Sequence, residues 1–242
     1  MSAVPSEVWL VGGAFVAAIA SGLAGFAFAL VASGTFLHLR APVDATPLVL
    51  AASLMAQSFS ILALRDSIDW RRLSPFLLGG ILGIPFGVAL LHGVSPEPLK
   101  RAIGAFLVSY ALFMLLRGQP RPIRAGGRPL DAGIGFVGGV MGGLGGLSGA
   151  VPTIWTGLRG WTKGEQRAVY QPYIFAMQAA ALAWLWLDGG IGPTAIADFV
   201  WCLPAVALGV WLGLRLYARV DDVQFRKIVL ALLLASGVVL VV

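Results

Sequence analysis

Residues 142–149 read Gly142-Gly143-Leu144-Gly145-Gly146-Leu147-Ser148-Gly149, inside an apolar run that extends from 131 to 158. A poorer copy, Ser21-Gly22-Leu23-Ala24-Gly25-Phe26, lies inside the run 8–37. Glycine lets a helix break and turn in little space. Non-helical backbone at membrane depth survives only where protein or a watery cavity satisfies it. Both stretches therefore read as turns of hairpins that enter a membrane and return. The competing reading is that their glycines permit close packing of straight helices.

The surroundings of these runs are those of a membrane protein. Of 242 residues, 58% are hydrophobic and 12% charged, and the mean hydropathy is +0.88. A charged fraction about half that of ordinary soluble domains excludes a water-soluble monomer. Six further apolar segments, 44–64, 74–92, 98–116, 168–187, 193–214 and 224–242, complete a set of eight. The net charge of +6 comes from Lys and Arg in loops, where they face headgroups. Nucleic-acid binding is not expected. Cys202, the one cysteine, excludes an intrachain disulfide framework and a cysteine-based metal cluster. No Lys or Arg precedes Arg40, so a cleaved signal peptide is not expected.

The chain repeats itself. A shift of 121 residues pairs Phe15 with Phe136, Gly22 with Gly143, Gly25 with Gly146, Thr35 with Thr156, Asp44 with Glu165 and Gln57 with Gln178. A shift of 126 pairs Gly83 and Gly87 with Gly209 and Gly213, and Lys100-Arg101 with Arg226-Lys227. This predicts repeat 1 over 8–116, a linker over 117–130 and repeat 2 over 131–242.

Loop charge selects between two topologies. Eight simple crossings put seven basic residues on one side and ten on the other, too even for the positive-inside rule. If segments 8–37 and 131–158 are hairpins, loops 65–72, 117–128, 159–167 and 215–227 share one side with fourteen basic residues, leaving three opposite. The predicted fold is all-α and polytopic: two inverted repeats, each one re-entrant hairpin plus three crossings, with both termini outside. An odd number of crossings per half inverts the second. Eight simple transmembrane helices are the alternative.

The candidate substrate-binding residues follow from that fold. Two turns meeting near the midplane bring in Ser21, Gly22, Gly25, Phe26, Gly143, Gly146, Ser148 and Gly149, and a half-helix starting there offers free N–H groups to an anion. Gln57 and Gln178 lie near the centres of their crossings, where an amide is costly unless bonded. They serve either a central site or an interhelical hydrogen bond. Secondary candidates are Thr35, Ser53, Thr153, Thr156, Tyr170 and Tyr173; Ser33 and the other hydroxyls also return bonds to their own helices. The eight tryptophans, Trp155, Trp161 and Trp201 among them, read as interface anchors. Gly79, Gly83 and Gly87, with Gly209 and Gly213, read as close-packing faces that are also available to an oligomer.

All eleven acidic residues, His38 and His92 lie at segment ends or in loops. No proton relay, general base or metal cluster is expected at mid-membrane, nor an ATP-binding loop. The chain is thus expected to be no enzyme and to need no cofactor.

The stretch Gly142 to Pro152, with its copy at 21–31, resembles the sulfite exporter TauE/SafE family of membrane permeases along essentially the whole chain. The copy departs from the family pattern: Ala27-Phe28-Ala29 replaces the usual glycine triplet, and Val31 stands where repeat 2 has Pro152. The resemblance implies transport of sulfite or another small organosulfur anion across the inner membrane. Export or passive facilitation by alternating access is the expectation. Proton-coupled uptake and a non-transporting assembly or partner subunit are the alternatives.

Overall fold

The computed structural model describes residues 6–93, 96–117, 122–123 and 125–241. Met1–Pro5, Val242 and part of the expected linker lie outside them. The helices are α1 (Ser6–Ala24), α2 (Phe28–Leu39), α3 (Pro42–Leu64), α4 (Trp70–Gly93), α5 (Pro96–Arg117), α6 (Gly127–Gly145), α7 (Ala150–Leu158), α8 (Lys163–Leu187), α9 (Pro193–Arg219) and α10 (Asp222–Val241). A short 3-10 turn, Arg65–Ser67, joins α3 to α4.

Both glycine-rich segments break, so eight apolar runs become ten helices among the described residues. The breaks are shorter than expected. Ser21–Ala24 and Gly142–Gly145 stay helical, and only Gly25–Ala27 and Gly146–Gly149 do not. Gly25 and Gly146, partners under the shift of 121, both turn left-handed at φ +84° and +74°. A side chain would be strained in that conformation.

Each broken pair returns towards its own start. Arg40, just past α2, donates from Nη1 to Ser6 Oγ at 3.2 Å and lies 3.8 Å from Glu7, both in the first turn of α1. Arg159, just past α7, reaches Asp131 in the second turn of α6 at 3.0 Å.

Packing exchanges the halves. α1 runs along α9 and α6 along α4, while α5 pairs with α10 and α3 with α8. Glycine makes the first two approaches possible. A Cβ on Gly213 would lie 2.8 Å from Gly22 Cα, and one on Gly87 would lie 3.1 Å from Gly143 Cα. A Cβ on Gly79 or Gly83 would land on the carbonyl of Ala132 or Phe136. These glycine faces are therefore filled within the chain, which corrects the expectation that they offer a face to an oligomer.

Outside this packing the surface is apolar. Ile81, Leu82 and Phe86 of α4 and Leu208 and Trp211 of α9 are more than half exposed. Helix α1, residues 43–62 of α3, and α9 are each long and apolar enough to cross a membrane. Lipid solvates such a surface and water does not; this is a polytopic membrane protein. Trp9, Trp70, Trp184, Trp186, Trp201 and Trp211 are exposed, as anchors would be. Trp155 is not: it is buried, and its indole donates to Asp131 Oδ1 at 2.8 Å.

Polar contacts tie four connections into one face. Arg72 at the start of α4 pairs with Glu165 at the start of α8 at 2.8 Å. The Ile123 amide donates to the Leu158 carbonyl at 3.0 Å. The Lys163 backbone amide donates to Asp222 at 3.0 Å, and its Nζ to the carbonyls of Tyr217 and Val220. Arg226 reaches the Met114 carbonyl at 3.4 Å.

Candidate functional site

The two breaks meet around a cavity of about 10 Å³, room for about one water. Phe26, Ala29 and Leu30 line it from the first hairpin, and Gly146, Leu147, Gly149 and Ala150 from the second. Ile174 and Gln178 of α8 complete the wall. Among the described residues none that lines it is acidic.

Two helix starts border this cavity, and neither has a side-chain cap. In α2 the first amide to reach a carbonyl is that of Val31, which donates to Ala27 at 3.0 Å. The amides of Phe28, Ala29 and Leu30 thus have no partner within the helix. In α7 the Ala150 amide donates to Leu147 at 3.3 Å, Pro152 has no N–H, and the Thr153 amide donates to Gly149 at 3.1 Å, so the first turn leaves one open amide, that of Val151. Each helix start carries roughly half a positive charge, so two together favour an anion without any cation in the wall. Gln178 accepts from Ser53 Oγ at 3.0 Å. Its amide nitrogen has no partner among the described residues, which leaves one neutral donor on the cavity.

The ends of α1 and α6 also arrive here, and their carbonyls are satisfied differently. After α6 the backbone caps itself: the Gly146 and Leu147 amides fold back onto Gly142 and Met141 at 2.8 and 3.3 Å. After α1 only the Gly25 amide does so, reaching Ser21 at 2.6 Å. Side chains take the rest. Arg167 Nη1 donates to Gly22 at 3.0 Å and Leu23 at 3.4 Å, the Tyr170 hydroxyl to Ala24, and Gln57 Nε2 to Gly25 at 2.8 Å. Gln171 links the donors, giving its Nε2 to Gln57 at 3.0 Å and accepting from Arg167 Nε at 2.9 Å.

The family model for Sulfite exporter TauE/SafE matches residues 10–240. The chain belongs to the sulfite exporter TauE/SafE family. No curated protein and no solved structure matches it.

In this TauE/SafE chain the expected site residues divide into three groups. Phe26, Gly146, Gly149 and Gln178 line the cavity, and Ser53 holds Gln178. Gly25, Gln57 and Tyr170 build the first break. The others lie off the cavity. Gly22 and Gly143 serve the packing of α1 on α9 and of α6 on α4. Tyr173 donates to the Gly135 carbonyl at 2.7 Å, Thr156 to Thr153 in its own helix, Ser33 to Ala29, and Thr35 packs beside Gly13. The hydroxyls of Ser21, Ser148 and Thr153 are buried with no partner among the described residues. Tyr170 and Tyr173 are fully buried.

Sequence reasoning missed Arg167, Gln171 and Ile174. The apolar run begins at Ala168, so Arg167 reads as the end of the loop 159–167, yet the structure buries it completely in α8. The signal available was spacing: Arg167, Gln171 and Gln178 fall on one helix face.

Proposed function

We propose that this TauE/SafE member is a secondary permease for a small oxyanion, sulfite or an organosulfonate, bound between the two breaks and exposed alternately to each side. The observation that carries this reading is the cavity itself, where two uncapped helix starts and the Gln178 amide converge. Such termini bind anions through free N–H groups and dipoles. A void of about 10 Å³ is too small for sulfite, so the anion enters as the hairpins separate.

In this reading α1–α2 and α6–α7 are re-entrant hairpins, and the other six long helices cross. The return of Arg40 to Ser6 and of Arg159 to Asp131 supports same-side entry and exit. The contacts joining the four basic connections support placing them together, with Arg121 and Arg124 outside the described residues. Burial of Arg167 lowers the loop total on that side from fourteen to thirteen, still far above the three opposite. By the positive-inside rule that face is cytoplasmic. The halves are then inverted repeats in the inner membrane, with both termini outside.

Export follows from charge. Each negative charge leaving an inside-negative cell is favoured by about 2.3 kcal/mol per 100 mV. No carboxylate lines the cavity to carry a proton inward. Sulfite flux in proteoliposomes at clamped potential tests this: flux should follow the potential without a proton gradient. Proton-driven accumulation against an inside-negative potential would overturn export. Absence of both flux and sulfite-dependent thermal stabilisation would overturn the permease reading.

A further inference from the structure

Lys163, Arg167, Gln171 and Gln178 share one face of α8 over about 22 Å of helix rise. The stripe runs from the basic face, where Lys163 holds the end of α9, to the cavity, which Gln178 lines. Arg167 stands between. Its guanidinium is fully buried, 4.1 Å over the Tyr217 ring, and no carboxylate pairs with it among the described residues.

Capping α1 does not explain that charge. The neighbouring carbonyls of Ala24 and Gly25 are capped by the neutral donors Tyr170 and Gln57, and the matched break after α6 is capped by backbone alone. A charge taken out of water costs several kcal/mol, and the carbonyls next to those that Nη1 meets are satisfied without one. One part of the guanidinium also does no capping: Nη2 is buried with no partner among the described residues. An unpaired buried cation with an open donor marks an ion pathway.

We propose that Arg167 is a second anion site, between the basic face and the cavity, and that its Nη2 takes an oxygen of the oxyanion passing between them. This rests on the permease reading above. The negative end of α1 partly balances the guanidinium while the site is empty. When an anion arrives, it completes the charge pair. Tyr217 closes the site towards α9, and Gln171 joins it to the Gln57 network.

The test compares the full-length chain with Arg167→Gln and Arg167→Lys, reading sulfite flux in proteoliposomes and sulfite-dependent thermal stabilisation in detergent. Arg167→Gln should lose at least tenfold in flux while sulfite still stabilises it through the cavity. Arg167→Lys, which keeps the charge and loses the fork, should recover at least a third of wild-type maximal flux with KM raised threefold or more. Flux within twofold of wild type in Arg167→Gln would overturn the proposal. So would an Arg167→Lys variant that folds but is as inactive as Arg167→Gln, because a structural cap then accounts for the residue. If Arg167→Gln does not fold, the lysine variant decides: a raised KM supports the site, and an unchanged KM overturns it. A wild-type chain that neither transports sulfite nor is stabilised by it refutes the permease reading, and this proposal with it. Normal wild-type flux with an indifferent Arg167 refutes this proposal alone.

Discussion

The side chains of Gln57 and Gln171 meet amide to amide, Nε2 of Gln171 donating to Oε1 of Gln57 at 3.0 Å. Gln57 passes the bond on to the Gly25 carbonyl at 2.8 Å. The glutamines paired by the repeat, Gln57 and Gln178, therefore have different roles: one holds a break and the other lines a cavity. Gln57→Leu leaves the Gly25 carbonyl and the Gln171 amide unpaired, at about 1–3 kcal/mol each. Its thermal midpoint in detergent should fall by several degrees. Gln178→Leu strands only the Ser53 hydroxyl, at about 1–3 kcal/mol, so it should destabilise less than Gln57→Leu and should also weaken sulfite-dependent stabilisation.

The glycines of α4 and α9 are predicted to be intolerant where they meet another backbone. Gly83→Ala drives a methyl group onto the Phe136 carbonyl and should cost about 1–3 kcal/mol. Gly12 and Gly133 have nothing within 4 Å of a built Cβ. Alanine at either should be neutral or stabilise by roughly 0.5–1 kcal/mol through helix propensity. Thermal unfolding of the three variants checks the contrast, and equal midpoints would contradict the packing described.

Arg40 and Asp198 form a fork, with Nε and Nη2 on the two carboxylate oxygens at 2.7 and 3.0 Å. Asp198 is buried, and its hydrogen bond is the main cause that raises the Arg40 pKa above its ordinary value. Removing either partner strands the other, though Glu7 lies 3.8 Å from Arg40 and compensates in part. Asp198→Ala and Arg40→Ala should each cost about 2 kcal/mol. The double variant should cost clearly less than their sum. Strict additivity would show that the pair is not coupled.

Acid stability should depend on Glu165. The Arg72 hydrogen bond, then the Thr162 backbone, hold its carboxyl below the ordinary carboxylate range. A depressed folded-state pKa gives stability that is present above the unfolded value and lost as pH falls through the folded one. The pair is partly exposed, so the effect is small, about 0.5 kcal/mol. Between neutral pH and about pH 3, wild type should lose more stability than Glu165→Gln. Parallel curves would remove the predicted contribution.

The two helix breaks were legible because glycine leaves a mark at low cost in ambiguity. Gly25 and Gly146 match under the repeat and share a left-handed conformation. The glycine stripes at 79–87 and 209–213 were legible as packing faces for the same reason. The site was half legible. Phe26, Gly146, Gly149 and Gln178 fall on the cavity because they belong to the breaks or to the centre of a crossing. Arg167 was hidden, since a charge beside an apolar run reads as its boundary. The carbonyls left open at the end of α1, which the sequence does not display, give its Nη1 partners there, although they do not account for its charge. Gly22 and Gly143 lie next to the turns in sequence but face α9 and α4, a direction set by tertiary packing alone.

In the proposed topology each broken hairpin leaves the membrane on the side it entered, so that the two breaks meet at one anion site. Ala41 follows the first hairpin and is exposed; Gly164, past the second, has nothing within 4 Å of a built Cβ; and Cys202, the native thiol, is buried. Ala41→Cys and Gly164→Cys can therefore be probed singly in intact cells with a membrane-impermeant maleimide. The account predicts labelling at position 41 from outside, and at position 164 only after permeabilisation. Labelling of both positions from the same side would contradict it, because eight simple crossings put them on one face.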